Sequence, residues 1–261
     1  MTRDTIAQLG RELHDALITR QTVAPLTARG LDLTIEDAYA IQESMLSHRL
    51  NAGRRVIGKK VGATSKAVQA ILGGVPQPDF GLLLDDMLYN DGEAVETARL
   101  IQPKAEGEIA FFLRHDLMGP GINAADVLRA TEGVMACMEI VDSRITDWKI
   151  KIQDTVADNA SCGVFVLGDR LVDPRRVDLG TCGLVVTRNG EVATTGSGAA
   201  VLGHPANAVA WLANTLGRLG IPLKAGEVIL SGALAPLVPV TAGDNFRITI
   251  GGIGNCAIRF A

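Results

Sequence analysis

Apolar residues fall at helical spacing over the first part of the chain and then change period. Ile6, Leu9, Leu13, Ala16 and Leu17 make one stripe along residues 4–19, which predicts an amphipathic helix. After the connector Val23-Ala-Pro-Leu-Thr, the residues Ala38, Ile41, Met45 and Leu50 resume the stripe. Thr34 is placed to cap this second helix, and Glu36 and Asp37 suit the positive end of its dipole. Asn51-Ala-Gly53 ends it. From Arg54 to Gly62 the pattern becomes that of a short strand, with Val56, Gly58, Lys60 and Gly62 on one face. Glycines on that face leave room for something to approach the backbone. Thr64 to Leu72 reads as a short capped helix stopped by Gly73-Gly74, and Pro76 to Gly81 as a rigid loop presenting Asp79.

Strands follow. Ile109–Leu113 and Val134–Val141 are apolar runs of strand length, with a capped helix from Asn123 to Glu132 between them. Lys149 to Gly163 is dense in polar groups and reads as a loop packed by its own hydrogen bonds. Val164–Leu167 is a strand, and Leu184–Thr187 and Val192–Thr195 flank Asn189-Gly190, a strong hairpin signal. Pro205 to Leu219 is a helix with Gly220 as its stop. Glu227–Ser231, Asn245–Ile250 and Cys256–Phe260 close the chain as strands. The helices do not alternate regularly with the strands, so a doubly wound sheet is disfavoured. The pattern predicts an α+β fold: a mixed, rolled-up β core over residues 54–261 and an N-terminal helical region over residues 1–53, in one compact unit.

Composition narrows the function. With 261 residues, 47% hydrophobic and 21% charged, the chain has ample material for a core. A net charge of −4 provides no electrostatic footprint for nucleic acid, and aromatics at 4% are too scarce for base-stacking platforms. No apolar run reaches the length of a membrane span, and the first residues lack the apolar segment of a signal peptide. Cys137, Cys162, Cys182 and Cys256 have no C-x-x-C spacing and are expected to be buried, reduced thiols of a cytoplasmic protein.

The candidate chemistry centres on Gln102-Pro-Lys-Ala-Glu-Gly-Glu-Ile-Ala-Phe-Phe-Leu113. Glu106 and Glu108 are two positions apart at the start of a strand, so their carboxylates share a face. Like charges that close repel unless a cation lies between them. By itself such a pair is more often the solvated face of an edge strand. Glu139, however, stands inside the apolar run Met135–Val141, where a lone carboxylate is costly unless paired or bound to metal. Three such carboxylates favour a hard divalent cation, Mg²⁺ or Mn²⁺, over zinc. Taken alone, Lys60 would be a surface lysine and Asp79 an ordinary turn residue.

Six segments carry a resemblance: Ile57-Gly-Lys-Lys-Val-Gly-Ala-Thr-Ser-Lys-Ala-Val, Gln77-Pro-Asp-Phe-Gly, Gln102-Pro-Lys-Ala-Glu-Gly-Glu-Ile-Ala-Phe, Glu139-Ile-Val-Asp-Ser-Arg-Ile, Asp154-Thr-Val-Ala-Asp-Asn-Ala-Ser-Cys-Gly and Leu202-Gly-His-Pro. Together, from about residue 5 to the end, they resemble the 2-hydroxypenta-2,4-dienoate hydratases of the fumarylacetoacetate hydrolase superfamily. These enzymes serve bacterial meta-cleavage pathways for aromatic compounds. The resemblance implies the rolled core of that superfamily, a homo-oligomer, and Mg²⁺ or Mn²⁺ held by Glu106, Glu108 and Glu139. It also implies a small-molecule 2-hydroxydienoate substrate, with Lys60, Asp79 and Ser161 as the catalytic set. The sister 4-oxalocrotonate decarboxylases share the metal carboxylates and the lysine. They typically lack an acid at the position of Asp79, and their segment reads differently at Asp154-Thr and Cys162-Gly. Both places side with the hydratases. Decarboxylation, or a non-catalytic role as partner of the pathway's 4-oxalocrotonate decarboxylase, are the alternatives. Hydrolytic members use a histidine to activate water; of His14, His48, His115 and His204, only His204 falls in a motif, as a structural residue at a helix start.

Overall fold

The computed structural model describes residues 1–73 and 77–261. Two N-terminal helices come first: α1 (Arg3–Thr19) and α2 (Ile35–Asn51). Thr34 caps α2 through a reciprocal box with Asp37, in which each side chain takes the other's backbone N–H. Beyond them lie β1 (Val56–Gly62), α3 (Lys66–Leu72), β2 (Asp79–Leu84), β3 (Leu88–Asn90), β4 (Ala94–Val95) and β5 (Pro103–Leu113). The chain continues through α4 (Ala124–Ala130), β6 (Thr131–Asp142), α5 (Ile152–Ala157), β7 (Cys162–Leu167), β8 (Gly183–Arg188) and β9 (Glu191–Ser197). It closes with α6 (Pro205–Gly217), β10 (Val228–Leu230), β11 (Val238–Pro239), β12 (Asn245–Ile250) and β13 (Gly254–Phe260).

The strands form two sheets. The larger runs β2-β1-β10-β5-β6-β7-β3, with β11 added on β5; the smaller runs β4-β13-β12-β8-β9. Parallel pairs (β1 with β10, β3 with β7, β4 with β13) mix with antiparallel ones, so the fold is the expected α+β type with a mixed β core. The main apolar cluster fills the space between the sheets, joining Ile109, Phe111 and Ile140 of the larger to Phe246, Ile248 and Ile258 of the smaller. The N-terminal helices pack elsewhere. Leu9, Leu13, Ile41 and Met45 share a separate cluster with Leu72, Ile152 and Val156, so α1 and α2 seat α5 against the edge of the large sheet.

Several elements differ from the sequence pattern. The expected loop at Asp79 is a strand: Asp79 opens β2 and pairs with Gly62 of β1. Flanking prolines suggest a loop, but a proline just before a strand removes no ladder bond the strand needs. Pro76 itself, and Gly74 of the expected helix stop, lie outside the described residues. The expected polar loop contains α5, capped by Asp154, which accepts from Lys151 N (2.9 Å) and ties Thr27 down through its N–H (3.1 Å) and hydroxyl (2.7 Å). Helix α4 stops at Ala130, and Glu132 already belongs to β6. Helix α3 is capped as expected, by Ser65, whose hydroxyl accepts from Val68 N (3.2 Å). The short strands β3, β4 and β11 have no signal in the periodicity, because two or three residues cannot show one.

Candidate active site

Register brings the three glutamates together. In the antiparallel β5–β6 ladder Glu106 lies directly opposite Glu139, and Glu108 opposite Cys137. Directly opposed residues share a face, and Glu106 and Glu108 share one by their spacing. Asp142 holds the register at the open end, accepting from Ile101 N (2.9 Å) and Gln102 N (2.7 Å). The three carboxylates place one oxygen each within 4.8 Å of one another. Glu108 and Glu139 are fully buried and Glu106 nearly so.

This cluster is unsatisfied as it stands. Glu108 Oε2 accepts from Gly232 N at 2.7 Å, but Glu108 Oε1 and both Glu139 oxygens have no hydrogen-bond partner among the described residues. Burial and then Glu139 push Glu106 up to about 8, and burial, Glu139 and Glu106 push Glu108 well above the usual range, with Lys60 pulling both back. Hard oxygen donors, converging and unpartnered in a dry site, fit a divalent cation.

Lys60 of β1 and Asp79 of β2 join the cluster from the far side of β10. Lys60 Nζ stands 3.2 Å from Glu139 Oε1 and donates to Ala160 O at 3.0 Å. Burial opposes its charge, yet the Glu139, Glu106 and Asp79 carboxylates outweigh it and raise its pKa. Asp79 is held beside it by the Gly62 pairing. A Cβ on Gly62 would lie 2.2 Å from Asp79 Oδ1 and 3.3 Å from Lys60 Nζ, so glycine leaves free the space between the two side chains. Burial pushes the Asp79 carboxyl up, opposed by Lys60, and Asp79 Oδ1 has no hydrogen-bond partner among the described residues.

The turn after α5 supplies the remaining wall. Asn159, Ala160 and Ser161 all have positive φ (54°, 50° and 51°), a left-handed run that costs about 1–3 kcal/mol per non-glycine residue. Side-chain bonds hold it. Fully buried Arg144 pairs with Asp158 and donates to Asp142 O (2.6 Å) and Cys162 O (2.8 Å). The Asn159 side chain accepts from Leu82 N (2.8 Å) and donates to Leu82 O (3.0 Å), acting as a strand partner along the free edge of β2. The turn aims the Ala160 carbonyl at Lys60 and brings the Ser161 hydroxyl within 3.2 Å of Asp158 Oδ2 and 3.4 Å of Thr155 Oγ1. Asp154, Asp158 and Asn159 thus hold the segment together.

These groups form the floor of a cavity of about 470 Å³, lined by Lys60, Asp79, Glu106, Thr155 and Ser161. Its outer wall is apolar and comes from α3, Trp148, Ile150 and the loop 233–237. Thus all six residues singled out from sequence converge. Sequence reasoning missed Thr155, the Ala160 carbonyl, Gly232 N–H and the role of Trp148. Trp148 is a wall residue, its indole donating to Gln102 O (3.0 Å) with Lys104 Nζ 4.2 Å over its ring. His204 is outside the cavity; its Nδ1 accepts from Ala206 N and caps α6.

Residues 55–261 match the family model described as fumarylacetoacetate (FAA) hydrolase C-terminal. A 2-hydroxyhexa-2,4-dienoate hydratase of Comamonas testosteroni is 60% identical over 253 residues, covering 96% of each chain. A 2-hydroxypent-2,4-dienoate hydratase of Pseudomonas putida is 64% identical over 222 residues, covering 85% of this chain and all of that one. Among solved structures, the 4-oxalocrotonate decarboxylase from Pseudomonas putida G7, complexed with magnesium and adipate, is 37% identical with a TM-score of 0.96, over 100% of this chain and 99% of its own. The same enzyme complexed with calcium and acetate gives a TM-score of 0.95 at 36% identity.

Proposed function

Because the chain belongs to the fumarylacetoacetate hydrolase family, we propose that it is a metal-dependent hydro-lyase. It adds water to 2-hydroxypenta-2,4-dienoate, or a C5-substituted analogue, to give 4-hydroxy-2-oxopentanoate or its analogue, in the degradation of aromatic compounds by meta-cleavage. The observation that carries this reading is the buried, unpartnered carboxylate cluster with Lys60 and Asp79 on the floor of a cavity, in a chain 60% and 64% identical to hydratases of such dienoates.

Glu106, Glu108 and Glu139 would hold Mg²⁺ or Mn²⁺. A cation there supplies Lewis acidity toward a substrate's C1 carboxylate and C2 oxygen. The protein's own groups account for the proton movements. The C2 hydroxyl gives up its proton and C5 gains one, which turns the dienol into an α,β-unsaturated ketone. Water then adds at C4 and C3 takes a proton. Lys60, kept charged by its carboxylate neighbours, offsets negative charge on the C2 oxygen. Asp79, whose carboxyl is biased toward its protonated form by burial, carries protons as general acid and base. Ser161 and Thr155, with hydroxyls 3.4 Å apart on the floor, orient the attacking water. A homo-oligomer, association with a 4-oxalocrotonate decarboxylase, and a cytoplasmic location supported by four buried free thiols belong to the same proposal. No helix among the described residues is long and apolar enough to cross a membrane.

The second reading is decarboxylation, favoured by the close fold match to a 4-oxalocrotonate decarboxylase. Stopped-flow ultraviolet spectroscopy with freshly generated 2-hydroxypenta-2,4-dienoate separates the two. The hydratase consumes the dienol with Mg²⁺ or Mn²⁺, stops with EDTA, and yields a product heavier by one water. Carbon dioxide release from 2-oxohex-3-enedioate without hydration of the dienoate replaces it with the decarboxylase. Silence on both leaves a non-catalytic partner.

A further inference from the structure

Gln42 of α2 is buried, and its amide nitrogen bridges two other elements. Nε2 donates to Phe80 O of β2 at 2.9 Å and to Val156 O of α5 at 3.0 Å. β2 is the end strand of the larger sheet. On its free edge the Asn159 amide takes Leu82, and Gln42 takes Phe80 two residues earlier. Val156 is next to last in α5, where carbonyls have no donor within the helix. One side chain thus satisfies a strand-edge carbonyl and a helix-end carbonyl, and ties the two elements together.

Both carbonyls are one residue away from the cavity floor. Phe80 follows Asp79 and Val156 follows Thr155, and Asp79 and Thr155 both line the cavity. Asp79 opens β2, so its place depends on how the next residue is held. Burial raises the Asp79 pKa most, and Lys60 and then the Thr155 side chain oppose it, so Thr155 is near enough to act on the carboxyl. Tyr39, about one turn before Gln42 on the same face of α2, stacks on the Phe80 ring at 4.4 Å between centroids. α2 therefore grips β2 by a ring and an amide, and α5 by the same amide. Tyr39 and Gln42 lie outside the residues 55–261 that match the family model, so this grip is not part of the matched core.

We propose that Gln42 is a positioning residue for proton transfer: its amide sets the spacing between Asp79 and Thr155, and turnover depends on that spacing. The inference rests on the reading of Asp79 as general acid and base. Gln42 does not line the cavity, so its loss is felt in kcat through Asp79 rather than in the affinity of the floor for an acid. A shift of about 1 Å in a reacting group lowers turnover by up to about a hundredfold.

Two substitutions test this. Gln42→Met keeps the length of the side chain and removes both hydrogen bonds. Gln42→Asn keeps the amide but is too short to reach both carbonyls. Each is compared with Asp79→Asn and with the corresponding double variant, in the full chain with Mg²⁺, after native circular dichroism is checked. With 2-hydroxypenta-2,4-dienoate, kcat of Gln42→Met should fall about tenfold to a hundredfold, while calorimetric affinity for 2-oxopentanoate stays within about threefold. On an Asp79→Asn background the same change should lower kcat by no more than about threefold further, because a group that acts through Asp79 has nothing to position once that carboxyl is gone. Gln42→Asn should repeat the pattern with a smaller loss, and it carries the test if the methionine variant does not fold. Unaltered kcat in the folded variants, or a loss that multiplies in full with that of Asp79→Asn, overturns the inference. Failure of the acid–base reading shows separately, as Asp79→Asn alone turning over like the unaltered chain.

Discussion

On the smaller sheet, Asp244 sits just before β12 with both oxygens used. Oδ1 takes the Asn189 amide (2.8 Å) and pairs with Arg188 (2.9 Å); Oδ2 takes the Thr241 N–H (2.9 Å) and hydroxyl (2.8 Å). Burial pushes against its charge, but these partners outweigh it and hold the carboxyl at about 2. On the larger sheet burial is only partly answered: Glu106 is pushed up to about 8 despite Lys60, and both oxygens of Glu139 are without hydrogen bonds among the described residues. Both sheets place acids where water is scarce. One surrounds its acid with donors and so gains stability. The other stacks three acids on one face beside a single lysine and leaves them short of donors. An unsatisfied buried charge cluster is costly to a fold, and it is found where a ligand can complete it.

The sharpest way to break this contrast is to remove one acid from the larger sheet. Glu139→Gln should lower kcat/KM by about a thousandfold or more, roughly 4 kcal/mol. It should also abolish the rise in melting temperature that Mg²⁺ produces in the unaltered protein. Melted in EDTA, the variant should differ little in stability from the unaltered chain, because relief of the like-charge contact with Glu106 is offset by loss of the ion pair with Lys60. A clear loss of stability in EDTA would mean that Glu139 is a structural residue like Asp244.

Asp79 tests whether the unsatisfied region works through more than the glutamates. Asp79→Asn keeps shape and loses the proton-carrying carboxyl. Turnover should fall by about 10²–10³, while the calorimetric affinity for 2-oxopentanoate stays within a few-fold. Turnover close to that of the unaltered chain would remove Asp79 from the acid–base role.

These residues were unequally legible in the sequence. Glu106 and Glu108 announce themselves, because an i, i+2 pair in a strand shares a face whatever the strand pairs with. Glu139 was recognisable as a misplaced charge, but its position opposite Glu106 depends on ladder register, which local pattern does not encode. Asp79 was visible through resemblance alone. Its prolines read as a loop, and its approach to Lys60 depends on Gly62 being opposite. Helix α5 was hidden because its short span is rich in side chains that bond to other parts of the chain, such as Asp154 to Thr27. The apolar wall of the cavity was invisible, since α3, the segment 148–150 and Leu237 are far apart along the chain.

Arg144 and Asp158 lie between the two extremes, a buried pair that supports the site without belonging to it. Removing one partner strands the other charge. Arg144→Met should therefore cost about 3–5 kcal/mol in urea unfolding, more than the double variant Arg144→Met/Asp158→Asn. If the single and double variants cost the same, the pair's value lies in Arg144's bonds to Asp142 O and Cys162 O rather than in charge.

The smallest effect belongs to the satisfied acid, and its pH dependence gives the comparison its sign. The folded-state pKa of Asp244, about 2, is below the ordinary 3.8. The unfolded chain therefore binds its proton first as pH falls, and the stability due to the charge is complete above about 4 and lost between 3.8 and about 2. Asp244→Asn should cost about 1 kcal/mol at neutral pH, since Arg188 is partly exposed and solvent screens the pair. Measured by urea unfolding, that gap should stay level from pH 7 to pH 5 and narrow as pH drops below 4. A gap that persists unchanged to the lowest pH at which the protein folds would show that Asp244 acts through hydrogen-bond shape, which asparagine also alters, and that donors rather than charge separate the two sheets.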